Sequence, residues 1–326
     1  MLNSRKLLDI TEKFLPILGF ILLFYLLYTI DLSRVEYTIS RMNPLFFLLS
    51  GALLLLKIPL SVYKWYMLAK SQGVEVRYPK MFRFYMMAHF YSVITPGGLG
   101  SYIRVKYLYD EGKELGGSVS NVVIDGMVEM VNLSVLAIFS TVLLFSVRLE
   151  LLIPILFFLA TSALPLLLLM RKKLGSRFAK KILLMVVPSK YRGLFERGTE
   201  SLFSKPPSLK IFLASVVLSL FTWLICFTQI YLLMLAFGEN ISLFGTISVW
   251  SIAVSISFLP ITIGGLGVRE WLMVVLSRRY GIAATASLSI SLMGYVIVYL
   301  IPALVGAVFI ILHATSYIER HEKKVG

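Results

Sequence analysis

The chain reads as one hydrophobic run after another, with polar residues confined to short gaps between them. Six runs, at residues 14–30, 44–63, 119–147, 151–170, 211–237 and 282–312, are long enough to cross the roughly 30 Å of a bilayer core. They predict six full transmembrane helices. Two further apolar segments, 84–108 and 246–276, differ because each carries a glycine-rich break near its middle. The first run follows Arg5, Lys6 and Lys13 and has the outline of a signal peptide. The residues after it, Asp31, Leu32, Ser33 and Arg34, offer no small-residue cleavage site, so a retained first span is expected.

Charge between the runs sets the topology. The segment 171–210 holds eleven Lys/Arg against only Glu196 and Glu200, which marks it as a basic cytoplasmic loop. The basic N-terminus and a loop with Lys64, Lys70, Arg77, Lys80 and Arg83 should face the same side. Simple spans satisfy all three only if 84–108 enters and leaves from the cytoplasm. By the same parity 246–276 starts and returns outside, and the tail with Arg320, Lys323 and Lys324 ends inside. The expected fold is thus all-α and polytopic, with about six full spans and two re-entrant hairpins, in the cell membrane with both termini cytoplasmic. Irregular backbone at membrane depth must line protein or a water-filled cavity, so both breaks should face an interior.

Composition agrees: 58% of residues are hydrophobic, 15% are charged and mean hydropathy is +0.84, against about 25% charged in soluble domains. The net charge of +15 does not point to nucleic acid, because the basic residues lie between spans beside anionic lipid. A single cysteine, Cys226, excludes an internal disulfide framework and a cysteine metal cluster.

The breaks resemble each other. "TPGGLG" at 95–100 matches "TIGGLG" at 262–267 in five of six positions, an offset of 167 residues. The same offset carries the 44–63 run onto 211–237 and the 119–147 run onto the last one. Two repeats, 44–147 and 211–314, are expected within one membrane domain, 1–326. Three full crossings separate their starts, so they should be inverted, as in many secondary transporters.

Candidate chemistry collects at the breaks. Thr95, Pro96, Gly97, Gly98, Gly100 and Ser101 lead into a segment where a half-helix end and Arg104 could hold an anion such as a lipid phosphate. Tight turns and helix packing, with Arg104 snorkelling, are the structural alternative. In "NVVIDGMVEM", Asp125 and Glu129 share one helix face at depths of about 10 and 16 Å. They suit a proton or cation relay or a cationic head group, or else an ion pair with Arg104 or Arg269. Gly264, Gly265 and Gly267 precede Arg269 and Glu270, which are expected either in the cavity with separate partners or in a salt bridge near the outer surface. Lys57, about one and a half turns from the expected end of its span, should snorkel, with Pro59 kinking the helix. His89, His313 and His321 share no ligand spacing, and no catalytic triad or nucleotide loop is visible. Neither metal nor cofactor is expected.

"TPGGLGSYIR", "VVIDGMVEM" and "LPITIGGLGVRE" resemble the membrane domain of lysylphosphatidylglycerol synthase, the multiple peptide resistance factor, and its stand-alone flippase-like relatives over roughly residues 10–315. The resemblance implies movement of aminoacylated phospholipid between leaflets, with a separate C-terminal soluble domain attaching the amino acid. The chain ends at Gly326 soon after its last span, so lysyl transfer is not expected of it. An acidic residue often follows the first glycine motif in that family, and Asp-Arg is frequent in the next span. Ser101 and Asp125-Gly126 stand at those places here, which implies a different cargo. Some relatives are fused to glycosyltransferases acting on polyprenyl-phosphate sugars, so the implied partner is a membrane lipid, either a phospholipid or an isoprenoid phosphate. A separate lipid-modifying enzyme and a second copy of the chain are further candidate partners. A membrane transferase, with Asp125 or Glu129 as general base, and a non-catalytic scaffold are the alternative functions.

Overall fold

The computed structural model describes residues 40–95, 98–144, 149–171, 175–177, 203, 205–258 and 268–312. Every regular element among them is helical. Five stretches are long and apolar enough to cross a bilayer: Pro44–Ser71, Leu115–Leu143, Leu149–Leu168, Leu209–Ala236 and Ala284–Leu312. The chain is an all-α polytopic membrane protein. The expected first span at 14–30, most of the basic loop and the C-terminal tail lie outside the described residues.

The first described span comprises α1 (Pro44–Ala52) and α2 (Leu54–Ser71), interrupted at Leu53, six residues before Pro59. Asn43 caps it by accepting the Leu45 N–H at 3.0 Å, with Pro44 at the first helical position, where a missing N–H costs nothing. The sequence places the end of this span at residue 63, yet the helix runs on to Ser71. Lys64 is therefore not in a loop but inside the helix and fully buried. A hydropathy run stops at a charge, whereas a helix continues through one that finds a buried partner.

After α2 come α3 (Tyr78–Ile94), a 3₁₀ turn (Leu99–Ile103) and the seven-residue α4 (Arg104–Asp110). The chain folds back on itself here. Phe84 of α3 stacks on Tyr107 of α4 with ring centroids 5.1 Å apart. Gly98 takes a left-handed φ of 70°, and a Cβ on Gly100 would lie 2.0 Å from the Tyr91 carbonyl oxygen, so the turn approaches α3 as only glycine allows. Thr95 closes the turn, its Oγ1 accepting the Gly100 N–H at 2.6 Å and donating to the Tyr91 carbonyl at 2.9 Å.

The long helices α5 (Leu115–Leu144) and α6 (Leu149–Met170) follow. Then come α7 (Leu209–Ala236) and α8 (Leu243–Ser257), capped by Ser208 and Ser242, and α9 (Val268–Ser277). The last helix, α10, starts at Ala284, passes through a π-helical turn at Val296–Leu300 and extends to Leu312. Shifted by 167 residues, the 44–71 span would fall on 211–238, and the observed helix is 209–236. The 115–143 span would fall on 282–310, and the observed helix is 284–312.

Close backbone contacts tie the bundle together. Ser50 Oγ donates to the Gln229 carbonyl at 2.9 Å, and Gln229 Nε2 donates back to the Ser50 carbonyl at 3.0 Å, locking α1 to α7. A Cβ on Gly306 of α10 would lie 2.0 Å from the Met86 carbonyl oxygen of α3. Such small-residue crossings suit a bilayer, where packing takes over from the hydrophobic effect as the force between helices.

Candidate functional site

Four charges from three parts of the chain meet between α2, α4 and α5. Lys64 Nζ lies 2.6 Å from Glu129 Oε1 and 3.0 Å from Asp125 Oδ1, and Arg104 Nη1 donates to Asp125 Oδ2 at 2.7 Å. The Lys64 contact to Asp125 is ionic and off the hydrogen-bonding direction, since Oδ1 accepts no hydrogen bond. Side-chain exposure is 0% for Lys64 and 2% for Asp125 but 33% for Glu129, so only the last reaches free space. Two cations and two carboxylates cancel, the condition under which such groups persist at membrane depth.

Aromatic rings and amides hold the cluster in place. The Arg104 guanidinium lies over Trp65 at 4.8 Å and Tyr85 at 5.7 Å from the ring centroids, and its Nε donates to the Ser101 carbonyl at 3.1 Å. Trp65 is itself anchored, its Nε1 donating to Asn121 Oδ1 at 2.7 Å, while Asn121 Nδ2 donates to Gln72 Oε1 at 2.9 Å. Asn121 stands one turn before Asp125 on α5. One face of that helix therefore fixes both the partner of Arg104 and the ring beneath it.

The cluster opens into a cavity of about 150 Å³. Lys57, His89, Arg104, Asp125, Glu129 and Tyr299 are among its polar walls, and Phe258 is among its apolar ones. Its depth is set by the helices. Lys57 is residue 14 of the 28 in its span (57 − 44 + 1), and Glu129 is residue 15 of the 29 in its own (129 − 115 + 1). Thr222 is residue 14 of 28 (222 − 209 + 1) and Tyr299 residue 16 of 29 (299 − 284 + 1). The cavity thus lies at the midpoint of four spans. A Cβ on Gly98 would come within 3.6 Å of Phe258, the residue after α8, so the first break packs against the end of α8 at this cavity.

Several sequence expectations change here. The amides of Gly98, Gly100 and Ser101 bond to the Thr95 carbonyl, Thr95 Oγ1 and the Gly98 carbonyl, so they are taken up within the turn. Arg104 does not snorkel; it is buried at 5% exposure against Asp125. Lys57 is not near an end of its span, because the helix continues to Ser71 and leaves it in the middle. Arg269 and Glu270 pair with each other, buried, and Ser291 Oγ accepts from Arg269 Nε at 3.3 Å and donates to the paired Glu270 oxygen at 3.1 Å. Their surroundings repeat the first cluster in other terms, with the Arg269 guanidinium over Tyr295 at 4.9 Å, Tyr299 at 5.6 Å and Trp250 at 5.7 Å. Of the glycine-motif residues, Gly98 and Ser101 line the cavity, and Thr95 and Gly100 build the turn behind it. Pro96, Gly97, Gly264, Gly265 and Gly267 lie outside the described residues.

Lys57, Lys64, Tyr85 and His89 were not singled out as site residues from the sequence. The first two were legible as a stripe: Lys57, Ser61 and Lys64 follow at spacings of four and three, one face of a helix that is otherwise apolar.

A charge-lined cavity midway along four apolar helices defines a polytopic membrane protein with an internal polar site. The family model described as "Lysylphosphatidylglycerol synthase TM region" matches residues 14–306, and the chain belongs to that family. It is also similar to a "UPF0104 membrane protein" of Methanothermobacter thermautotrophicus, 24% identical over 292 residues that cover 82% of this chain and 83% of that one.

Proposed function

We propose that this protein binds the head group of a phospholipid or other lipid phosphate in the mid-membrane cavity and carries it between leaflets. The observation that supports the reading most directly is the placement of a charged cavity at the midpoint of four spans. Charges at that depth are costly and usually mark a substrate or ion path. The volume is below the roughly 300–1,000 Å³ of drug-sized pockets, which suits a head group whose chains remain in the bilayer.

The family and the paired breaks support the same reading. In this scheme the halves 44–147 and 211–314 are inverted repeats, and the two broken segments are re-entrant hairpins that gate the cavity from opposite sides. Gly98 and Ser101 form the wall that the head group meets, and Asp125 holds Arg104 and Lys64 in register. No nucleotide motif is present in the sequence, so the movement is either equilibrium exchange or ion-coupled.

The test is reconstitution into liposomes carrying a fluorescent phosphatidylglycerol in both leaflets, with an impermeant quencher added outside. Complete quenching with wild-type protein and half quenching with the Asp125→Asn, Glu129→Gln double variant is the expected result. Half quenching with wild-type protein, as in protein-free vesicles, sinks the proposal.

A further inference from the structure

The charge balance of the cavity bears on its cargo. Lys64 and Arg104 are matched by Asp125 and Glu129, but no carboxylate lies within ion-pair distance of Lys57 among the described residues. Lys57 is half-buried, lines the cavity and stands at the centre of its span, about 20 Å along the helix from either end. A lysine side chain reaches only a few ångströms, so snorkelling cannot carry this ammonium to either surface. An uncompensated ammonium at that depth needs a counter-ion, and the protein has assigned both nearby carboxylates elsewhere.

Resting on the lipid-binding reading above, we infer that Lys57 is the contact for the cargo phosphate and that the cavity selects lipids whose head group is net negative over cationic aminoacyl ones. With Lys57 counted, the cavity and its buried cluster carry one surplus positive charge. An anionic head group neutralises it, while a net-positive lysyl head group adds to it in a low-dielectric space where like charges repel strongly. The remaining walls suit a phosphate as well. Ser61, Ser92, Ser101 and His89 line the same cavity, and a serine hydroxyl is a residue type that can donate to phosphate oxygen. Glu129 already carries Lys64 at 2.6 Å, so its charge is shared before any ammonium group enters.

Among the described residues Lys57 holds no ion pair that a substitution would break, so Lys57→Met removes a half-buried charge without a partner there and should raise thermal stability in detergent free of anionic lipid. A defect in lipid binding then cannot be ascribed to misfolding.

Native mass spectrometry and thermal shift of purified wild-type, Lys57→Met and Lys57→Arg protein test the inference. Phosphatidylglycerol, a polyprenyl phosphate, phosphatidylethanolamine, lysylphosphatidylglycerol and inorganic phosphate are the probes. The expected result is at least tenfold tighter binding of the two anionic lipids than of lysylphosphatidylglycerol, lost in Lys57→Met and largely kept in Lys57→Arg. Inorganic phosphate should stabilise only weakly. Equal or tighter binding of lysylphosphatidylglycerol, or an anionic preference unchanged by Lys57→Met, overturns the role of Lys57 while leaving lipid binding intact. Strong Lys57-dependent stabilisation by inorganic phosphate with none by lipid shows a free-phosphate site instead. Wild-type protein that retains no lipid above bulk removes the lipid reading itself.

Discussion

The two buried arginine clusters use the same ingredients to different ends. Around Arg104, the partners come from helices far apart in the chain: Lys64 on α2 and Asp125 and Glu129 on α5. The cluster borders a cavity and leaves Glu129 one-third exposed. Around Arg269, the carboxylate is the adjacent residue, Glu270, and three aromatic rings cover the guanidinium, which is 1% exposed. Long-range assembly leaves room between helices for a ligand. A local pair under rings closes its own space, so burial of an arginine does not by itself mark a site.

That contrast can be broken by mutation. The largest effect should come from Asp125→Asn, which leaves Lys64 and Arg104 buried against one remaining carboxylate. A loss of about 3–5 kcal/mol is expected, read as a lower unfolding midpoint in detergent. If the midpoint moves by no more than that of a surface variant, the cluster is better hydrated than its burial indicates.

Glu270→Gln should cost less, about 2–3 kcal/mol, because the rings over Arg269 still stabilise the cation and the amide still accepts a hydrogen bond. Lipid exchange in the remaining folded protein should be unchanged, whereas loss of exchange at full folding would put the second cluster in the transport path and erase the distinction.

Gly100→Ala tests the turn that carries Arg104 into place. Its Cβ would meet the Tyr91 carbonyl carbon and oxygen at 2.3 and 2.0 Å, backbone atoms that cannot swing aside. A loss of about 2 kcal/mol is expected, comparable to overpacking a core. Wild-type stability in this variant would show that the 3₁₀ turn can slide along α3.

The smallest expected change is for Trp223→Phe, which removes a hydrogen bond from Nε1 to the Glu129 carbonyl at 3.2 Å. About 1 kcal/mol should be lost, with lipid binding altered less than threefold, as measured by thermal shift across a lipid titration.

Much of this architecture was legible in the chain. The runs at 44–63, 119–147, 151–170, 211–237 and 282–312 each became a helix, with ends moved by up to eight residues where a polar residue was buried. Asp125 and Glu129 stood out because acids at membrane depth are costly. Lys64 did not, because a cation near the end of an apolar run looks like the start of a loop. Lys57 was likewise misplaced, since its apparent depth depended on where that helix ended.

Hydrophobic length, which acts along the chain, determined by itself that this is a polytopic helical membrane protein, and glycine placement located the turn at 95–100. Which charges cancel, which one is left over and where space remains between the helices were decided only by tertiary structure. Pairing energies depend on distances of a few ångströms between side chains 21 to 65 residues apart, and no pattern along one strand of sequence encodes those distances directly.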